Sequence, residues 1–230
     1  MPFERTTVKM YEQEIEKYKT QKRFTLDDLR TILKILRCEN GCPWDREQTH
    51  KTIVKDLLEE SYEVVEAIEA ESDEMLCEEI GDLLLQAVFH TTIAEEENAF
   101  TFDDTVDGIC RKMVERHPHV FGDTVAETSE KVLTNWEKIK AETKKQETLY
   151  DRLAAVPVTF PALMRAQKLI HRAEKGGEQI YAGEYDFNAM SEAEVAKQLW
   201  QIVSAADKAG IDAETALRHY SEQFTEKHKS

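Results

Sequence analysis

The sequence predicts an all-α protein, and three observations support this fold class. Glycine and proline are scarce, at 8 and 5 of 230 residues, and these are the residues that most often interrupt regular structure. Apolar residues recur at helical spacing, and helix-capping pairs such as Thr25–Asp28 and Ser191–Glu194 precede several of these stretches. No stretch of useful length shows the alternating pattern of a half-buried strand.

The predicted helices follow one another with short breaks. The first carries leucines at helical spacing between Leu26 and Leu36, and the segment Asn40–Trp44 ends it because it contains glycine and proline. Ser72 is predicted to cap a later helix whose inward residues include Met75, Ile80, Leu84 and Val88. The other predicted helices cover 52–70, 101–117, 129–146, 162–175, 192–208 and 212–227, with a loop at 117–123.

The helical pattern divides the chain into four parts. Residues 1–24 alternate Glu and Lys with little apolar spacing and are predicted to form a polar N-terminal extension. Residues 25–147 are predicted to form the main helical domain. Pro157 and Pro161 favour a linker at 148–160, followed by a second helical region at 161–230.

Composition excludes several classes of protein. The formal net charge of −16 argues against stable binding to the phosphate backbone of a nucleic acid. No run of 18 apolar residues is present, so we expect no membrane span. The first residues lack the apolar core of a secretory signal, which favours a cytoplasmic protein. Cys38 and Cys42 with His50 suggest zinc, but no second close pair completes four ligands.

Acidic residues concentrate in one stretch of the chain. Between Lys51 and Asp82 there are twelve acids and two lysines, a local net charge of −10. Glu60 with Glu63, and Glu79 with Asp82, are three apart, so each pair shares a helix face. A short connection would make the two helices an antiparallel hairpin and bring the pairs together. Oxygen ligands of this kind suit Mg²⁺, with Mn²⁺ as a substitute, but acidic pairs also occur on ordinary solvated faces.

Five sequence blocks resemble those of the MazG nucleoside triphosphate pyrophosphohydrolases, in the same order and with the same spacing from about residue 25 to residue 145. The blocks are CPWDREQT at 42–49, LEESYEV at 58–64, EIGDLL at 79–84, RHPHVF at 116–121 and WEKIK at 136–140. The resemblance implies a helical bundle that forms a homodimer or higher homo-oligomer. It also implies Mg²⁺-dependent conversion of a nucleoside triphosphate and water to a nucleoside monophosphate and pyrophosphate.

The resemblance also implies roles for individual residues, carried over position by position. The positions that match the family's metal ligands are Glu60, Glu63, Glu79 and Asp82. The positions that match its nucleotide-contacting residues are Lys112, Glu115, Arg116, Trp136 and Lys140. Helical geometry adds Glu59 as a candidate general base. We expect broad tolerance of the base and a house-cleaning role against non-standard nucleotides.

The C-terminal part resembles a second MazG repeat that has lost its metal motif. PALMRAQKL at 161–169 looks like the start of a repeat, but Lys197 stands where an aspartate would be expected and would repel a cation. We therefore predict a degenerate, non-catalytic region.

Two other functions stay open from the sequence. One is a nucleotide- or alarmone-sensing module with weak turnover. The other is a carboxylate-bridged di-iron bundle, which requires two Glu-x-x-His motifs where only Glu47–His50 fits.

Overall fold

The computed structural model describes residues 7–143, 148–180 and 190–229, and in these ranges the chain is helical without a β-strand. The all-α prediction is confirmed. The helices are α1 Glu12–Thr20, α2 Leu26–Arg37, α3 Pro43–Glu47, α4 Val54–Glu69, α5 Asp73–Glu96, α6 Phe102–Arg116, α7 Pro118–Phe121, α8 Ser129–Thr143, α9 Leu149–Ala154, α10 Ala162–Lys175, α11 Glu192–Lys208 and α12 Ala213–Glu226. Two compact units divide the chain, Met1–Val114 and Glu115–Ser230.

The first unit is built on the hairpin of α4 and α5, which pack along each other more extensively than any other pair of helices described. The connection is three residues long, with Glu71 in the left-handed region at φ 51° and Ser72 capping α5 through the backbone N–H of Met75. Helix α2 lies against α5. Their shared core consists of Leu33, Ile53, Val88, Phe89 and Ile93.

Burial along α5 differs from the predicted pattern. The second half of the helix is buried, including Val88, Phe89 and Ile93. Ile80 and Leu84, which the periodicity places inward, are 51% and 41% exposed. The pattern identifies an apolar face correctly, but the described part of the chain covers only the C-terminal part of that face.

The N-terminal segment is more ordered than the predicted polar extension. A short 3-10 turn at Val8–Tyr11 leads into α1, and Lys17 Nζ lies 3.0 Å from Asp28 Oδ1. Asp28 also accepts hydrogen bonds from Gln21 and from Thr25, whose capping box with Asp28 starts α2. The Lys17 hydrogen bond, followed by those from Thr25, holds the pKa of Asp28 well below its usual range. One buried carboxylate therefore attaches α1 to the unit; residues 1–6 lie outside the described residues.

The segment after α2 is fixed by one buried arginine. Arg37 donates from Nε and Nη2 to the two carboxylate oxygens of Glu96, each at 2.8 Å, and from Nη1 to the backbone carbonyls of Asp45 and Gln48. Gly41 is required in the preceding turn because a Cβ there would lie 2.3 Å from the backbone oxygen of Leu36. The CPWDREQ segment is thus held against the end of α5.

The second unit has a core of its own. Leu153 and Val156 pack against Leu169 and Ala173 of α10, and Phe224 of α12 lies against the same cluster. Residues 148–160, which the prolines led us to predict as a linker, therefore contain helix α9 and part of this core. The capping box of Thr148 with Asp151 starts that helix.

Helix α11 contains Lys197, the position at which the sequence predicts loss of the metal motif. Lys197 is exposed. Part of the predicted degenerate repeat, residues 181–189, lies outside the described residues. Across the portions of the chain that the structure describes, no helix is both long enough and apolar enough to cross a membrane.

Candidate metal centre

The hairpin of α4 and α5 brings acidic side chains from both helices together. Glu60, Glu79 and Asp82 each offer a carboxylate oxygen, and these oxygens lie within 4.8 Å of one another. Glu63, one turn after Glu60 on α4, is hydrogen-bonded to Glu60 and stands beside the three. All four residues are half-buried. The spacing of three residues within each helix gives the pairs, and the short turn brings the pairs to the same level.

The surroundings of Glu60 and Glu79 disfavour the charged forms of these two side chains. The pKa of Glu60 is raised, first by burial, then by the hydrogen bond that its protonated form donates to Glu63 and by the charges of Asp82, Glu63 and Glu79. The pKa of Glu79 is raised in the same direction, again first by burial and then by neighbouring carboxylates including Glu63. Such a cluster is relieved either by taking up protons or by a cation.

The donor set fits a hard divalent cation. It consists of carboxylate oxygens, which Mg²⁺, Ca²⁺ and Mn²⁺ prefer, and lacks the thiolate and imidazole groups typical of zinc sites. Two oxygens on opposite sides of one Mg²⁺ stand about 4.2 Å apart, at about 2.1 Å from the ion each. The separation of up to 4.8 Å is therefore close to the size of such a site.

Gly81 lies between Glu79 and Asp82 on α5. A Cβ added there would meet no atom within 4 Å in the described chain. The surface beside the acids is therefore open at this point. A residue without a side chain therefore leaves room next to the cluster.

The other predicted site residues are distributed over both units. Glu59 is exposed and is not part of the group of converging acids. Lys112, in the first unit, is exposed on α6, and Glu115, in the second, is exposed at the end of the same helix. Lys112 and Arg116 are four positions apart on this helix, and of the two only Lys112 is exposed.

Arg116 is buried within the second unit, at 8% exposed. Its guanidinium lies over the ring of Trp136, 5.2 Å from the ring centre. The ring of His117 meets the same indole edge-on at 5.0 Å. Lys140, one turn further along α8, is half-buried. The structure thus pairs two of the predicted nucleotide-contacting residues, Arg116 and Trp136, through a cation–π contact.

Sequence reasoning missed a pair of histidines in the first unit. Nδ1 of His50 and Nδ1 of His90 lie 2.8 Å apart, and the two rings stack at 5.1 Å. Burial, followed by the charge of His50, lowers the pKa of His90, which favours the neutral form of the His90 ring. Because the residues are 40 positions apart, no local spacing indicates the contact.

Comparison with known proteins agrees with this geometry. The family model described as the MazG nucleotide pyrophosphohydrolase domain matches residues 48–121, a range that includes the acids of α4 and α5. A protein of Escherichia coli K12 named nucleoside triphosphate pyrophosphohydrolase is 41% identical over 220 residues, which cover 86% of this chain and 84% of that protein.

Two further relatives extend the comparison. A Thermotoga maritima protein named nucleoside triphosphate pyrophosphohydrolase/pyrophosphatase MazG is 35% identical over 218 residues, or 88% of this chain and 84% of that protein. The uncharacterised protein YabN of Bacillus subtilis is 47% identical over 140 residues, or 61% of this chain and 28% of its own length. The matched motifs, the converging acids and the coverage of the relatives lead to one conclusion: the chain belongs to the MazG nucleotide pyrophosphohydrolase family.

Proposed function

We propose that the protein hydrolyses nucleoside triphosphates to nucleoside monophosphates and pyrophosphate with Mg²⁺ as its cofactor. The water oxygen forms a new bond to phosphorus, the anhydride bond between the α- and β-phosphates breaks and the water loses a proton, so each triphosphate gives one monophosphate and one pyrophosphate. The observation that carries the proposal is the convergence of Glu60, Glu79 and Asp82 on the hairpin. The names of the full-length relatives support the same reaction.

In this proposal Glu60, Glu79 and Asp82 hold the cation, and Glu63 either joins them or orients Glu60 through their hydrogen bond. A bound Mg²⁺ would neutralise phosphate charge and polarise the phosphoryl group. Mn²⁺ would act as a substitute because it accepts the same oxygen donors. Glu59, next to Glu60 and open to solvent, is the proposed acceptor of the proton that the attacking water loses.

Substrate binding requires positive charge, because a triphosphate carries about four negative charges and carboxylates alone would repel it. Lys112 is exposed, and an ammonium group of this kind is a suitable partner for phosphate oxygens. Arg116 and Trp136 support each other, and an indole ring stacks on any base because every base presents a π-face. Stacking that does not depend on the identity of the base supports broad base tolerance. Broad base tolerance in turn supports a house-cleaning role against non-standard nucleotides. Glu115 and Lys140 complete the proposed substrate-binding set.

Homodimer or higher assembly is part of the proposal. Helix α4 presents one row of exposed apolar residues, Val54, Leu58, Tyr62 and Val65, each between 45% and 63% exposed. Ile80 and Leu84 on α5 add to the apolar surface of the hairpin. Apolar surface of this extent on a helix pair is typical of contacts between protein chains. A second copy of the hairpin would cover it.

Pyrophosphate release from a panel of nucleoside triphosphates, with and without Mg²⁺, tests the proposal. Glu79→Gln keeps the size of the side chain but removes a ligand charge, and we expect it to lower kcat/KM at saturating Mg²⁺ by at least about a hundredfold, since even indirect partners of metal ligands contribute about 10- to 100-fold. The matched control is Glu78→Gln, which removes the same charge from the neighbouring exposed position. If the two variants had equal activity, the assignment of Glu79 as a metal ligand would be wrong.

A second outcome would favour the sensing module. If the wild-type protein binds Mg²⁺ and nucleoside triphosphate but releases no pyrophosphate from any of them, the acids serve recognition rather than hydrolysis.

A further inference from the structure

Two histidines connect the turn before α4 to helix α5. His50 lies in the turn between α3 and α4, and His90 lies in the second half of α5. Their Nδ1 atoms form a hydrogen bond of 2.8 Å, and their ring planes differ by 7°. We call these two residues the histidine pair. His90 follows Asp82 on α5 by about 12 Å along the helix axis, at about 1.5 Å per residue, so the pair is separate from the metal centre.

The hydrogen bond of the histidine pair contains one proton, so one ring donates it and the other accepts it. If His50 donated, the single proton of a neutral His90 would lie on Nε2. That nitrogen is buried and has no hydrogen-bond partner in the described residues, and a buried donor left unsatisfied costs more than a typical hydrogen bond contributes. If His90 donates, its Nε2 carries only a lone pair and no buried donor is left over. Burial therefore favours His90 as the donor.

Glu97, the residue that follows α5, favours the same arrangement. Its Oε2 lies 3.8 Å from Nε2 of His50. When His50 accepts at Nδ1, its own proton lies on Nε2, on the side of the negative carboxylate. In the reverse arrangement a lone pair of His50 would face that carboxylate, which is repulsive. The two ends of the pair therefore agree that His90 donates and His50 accepts.

Proton uptake opposes this arrangement. The ring of His50 is 38% exposed, so solvent can supply a proton, but a proton added to its Nδ1 would face the N–H of His90 at 2.8 Å. The hydrogen bond would then persist only in the reverse direction, with the proton of His90 moved to its buried Nε2. When both rings are protonated, all four ring nitrogens are donors and no acceptor is left. The contact is therefore formed by neutral rings and is weakened by protonation.

The charged groups near the histidine pair offer little compensation for an added proton. Those on the neighbouring parts of α2, α3, α4, α5 and the turn are Arg37, Glu47, Lys51, Lys55, Asp56, Glu96 and Glu97. Among the described residues only Glu97 comes within ion-pair distance of either ring, and its side chain is 60% exposed, where an ion pair contributes little. The pKa of His90 is lowered, first by burial and then by the charge of His50. The surroundings therefore favour the neutral form of the His90 ring.

We propose that the histidine pair is a pH-sensitive switch, in which the hydrogen bond holds the turn against α5 while the rings are neutral and breaks when they take up protons in mildly acidic solution. A contact that served packing alone would not depend on the proton count of the two rings. The turn leads directly into α4, so breaking the contact loosens the start of the helix that carries Glu60. The switch requires neither a cation nor a nucleotide, and so it does not depend on the hydrolysis proposed above.

NMR of the full-length wild-type protein with ¹⁵N-labelled histidine tests the positions of the protons. The two ¹⁵N chemical shifts of a ring show which of its nitrogens carries a proton, and the spectrum of His50→Phe identifies the signals of His50. At pH 8 we expect the proton of His90 on Nδ1 and that of His50 on Nε2. A proton on Nε2 of His90 at that pH would overturn the argument.

Amide hydrogen exchange tests the opening of the contact. The amides of Thr52 and Ile53 donate to the carbonyl of Thr49 within the turn. Their exchange rates, divided by the intrinsic rates at the same pH, should rise about two- to tenfold between pH 8 and pH 5.5, the effect of losing one hydrogen bond. His50→Phe keeps a flat ring that takes up no proton, so this rise should be absent. The matched control is His171→Phe in α10, whose side chain is 76% exposed and which should keep the rise.

Three results would overturn the switch: corrected exchange rates in the wild type that do not change with pH, the same rise in His50→Phe as in the wild type, or loss of the rise in His171→Phe. If His50→Phe fails to fold, the wild-type exchange rates and the ¹⁵N shifts of His90 still decide. Neither measurement uses pyrophosphate release, so failure of this proposal is distinguishable from failure of the proposed hydrolysis.

Discussion

Replacing Leu153 with alanine tests whether residues 148–160 belong to the folded second unit. Leu153 is 0% exposed and lies between Val156, Leu169 and Ala173. Leucine-to-alanine changes at fully buried sites cost about 2.7–5.0 kcal/mol, and more when the neighbours cannot move into the space. Ala173 has no flexible side chain to refill it, so we expect a loss of about 4 kcal/mol, in the upper half of that range.

Urea unfolding followed by tryptophan fluorescence measures this loss. Trp44 lies in the first unit and is 58% exposed, so a Trp44→Phe background leaves Trp136 and Trp200 to report on the second unit. The control is Leu163→Ala, which removes the same atoms from a side chain 52% exposed and should cost less than about 1 kcal/mol. If Leu153→Ala costs no more than Leu163→Ala, the segment is a linker, as the prolines indicate, and the packing argument is wrong.

Three further predictions concern the first unit. The raised pKa of Glu60 and Glu79 means that the folded state binds their protons more tightly, so in EDTA their contribution to stability falls as pH rises above the ordinary glutamate pKa of 4.5. In EDTA, the melting temperature of Glu60→Gln minus that of the wild type should therefore increase with pH, and in Mg²⁺ this increase should disappear. A difference in melting temperature that does not change with pH would refute this reasoning. Gly81→Ala should raise stability by up to about 1 kcal/mol, because a Cβ meets nothing there; a less stable protein in thermal unfolding would show that the site is not open. Val65→Asp should dissociate the oligomer in light scattering while Val106→Asp on α6 does not; a monomeric wild type would contradict the proposed assembly.

Helix starts were predictable because the signals are local. Ser72 and the capping pairs Thr25–Asp28 and Ser191–Glu194 each form the predicted hydrogen bonds. A capping side chain reaches only three residues along the chain, so the sequence contains all the information. The same holds within each helix for the paired acids of the metal centre.

Contacts between distant segments were not predictable. Arg37 and Glu96 are 59 positions apart, and no periodicity relates them. The exposure of Ile80 and Leu84 was not predictable for a different reason. An apolar helix face in a sequence indicates that something covers it, but it does not indicate whether the same chain or a second copy does so. Convergence of Glu60 with Glu79 and Asp82 depends on the rotation of α5 about its axis against α4, and the spacing of residues within either helix does not determine that rotation.

The proposed ligands of the metal all lie on one continuous piece of chain, between Glu60 and Asp82. Closing so short a loop costs little entropy, so the ligands can assemble as soon as the hairpin forms, before distant segments dock. Because the proposed ligands lie so close together in sequence, few substitutions are needed to lose them all. In a duplicated domain, a change confined to one such stretch would abolish cation binding and leave the remaining helices to fold and serve other purposes.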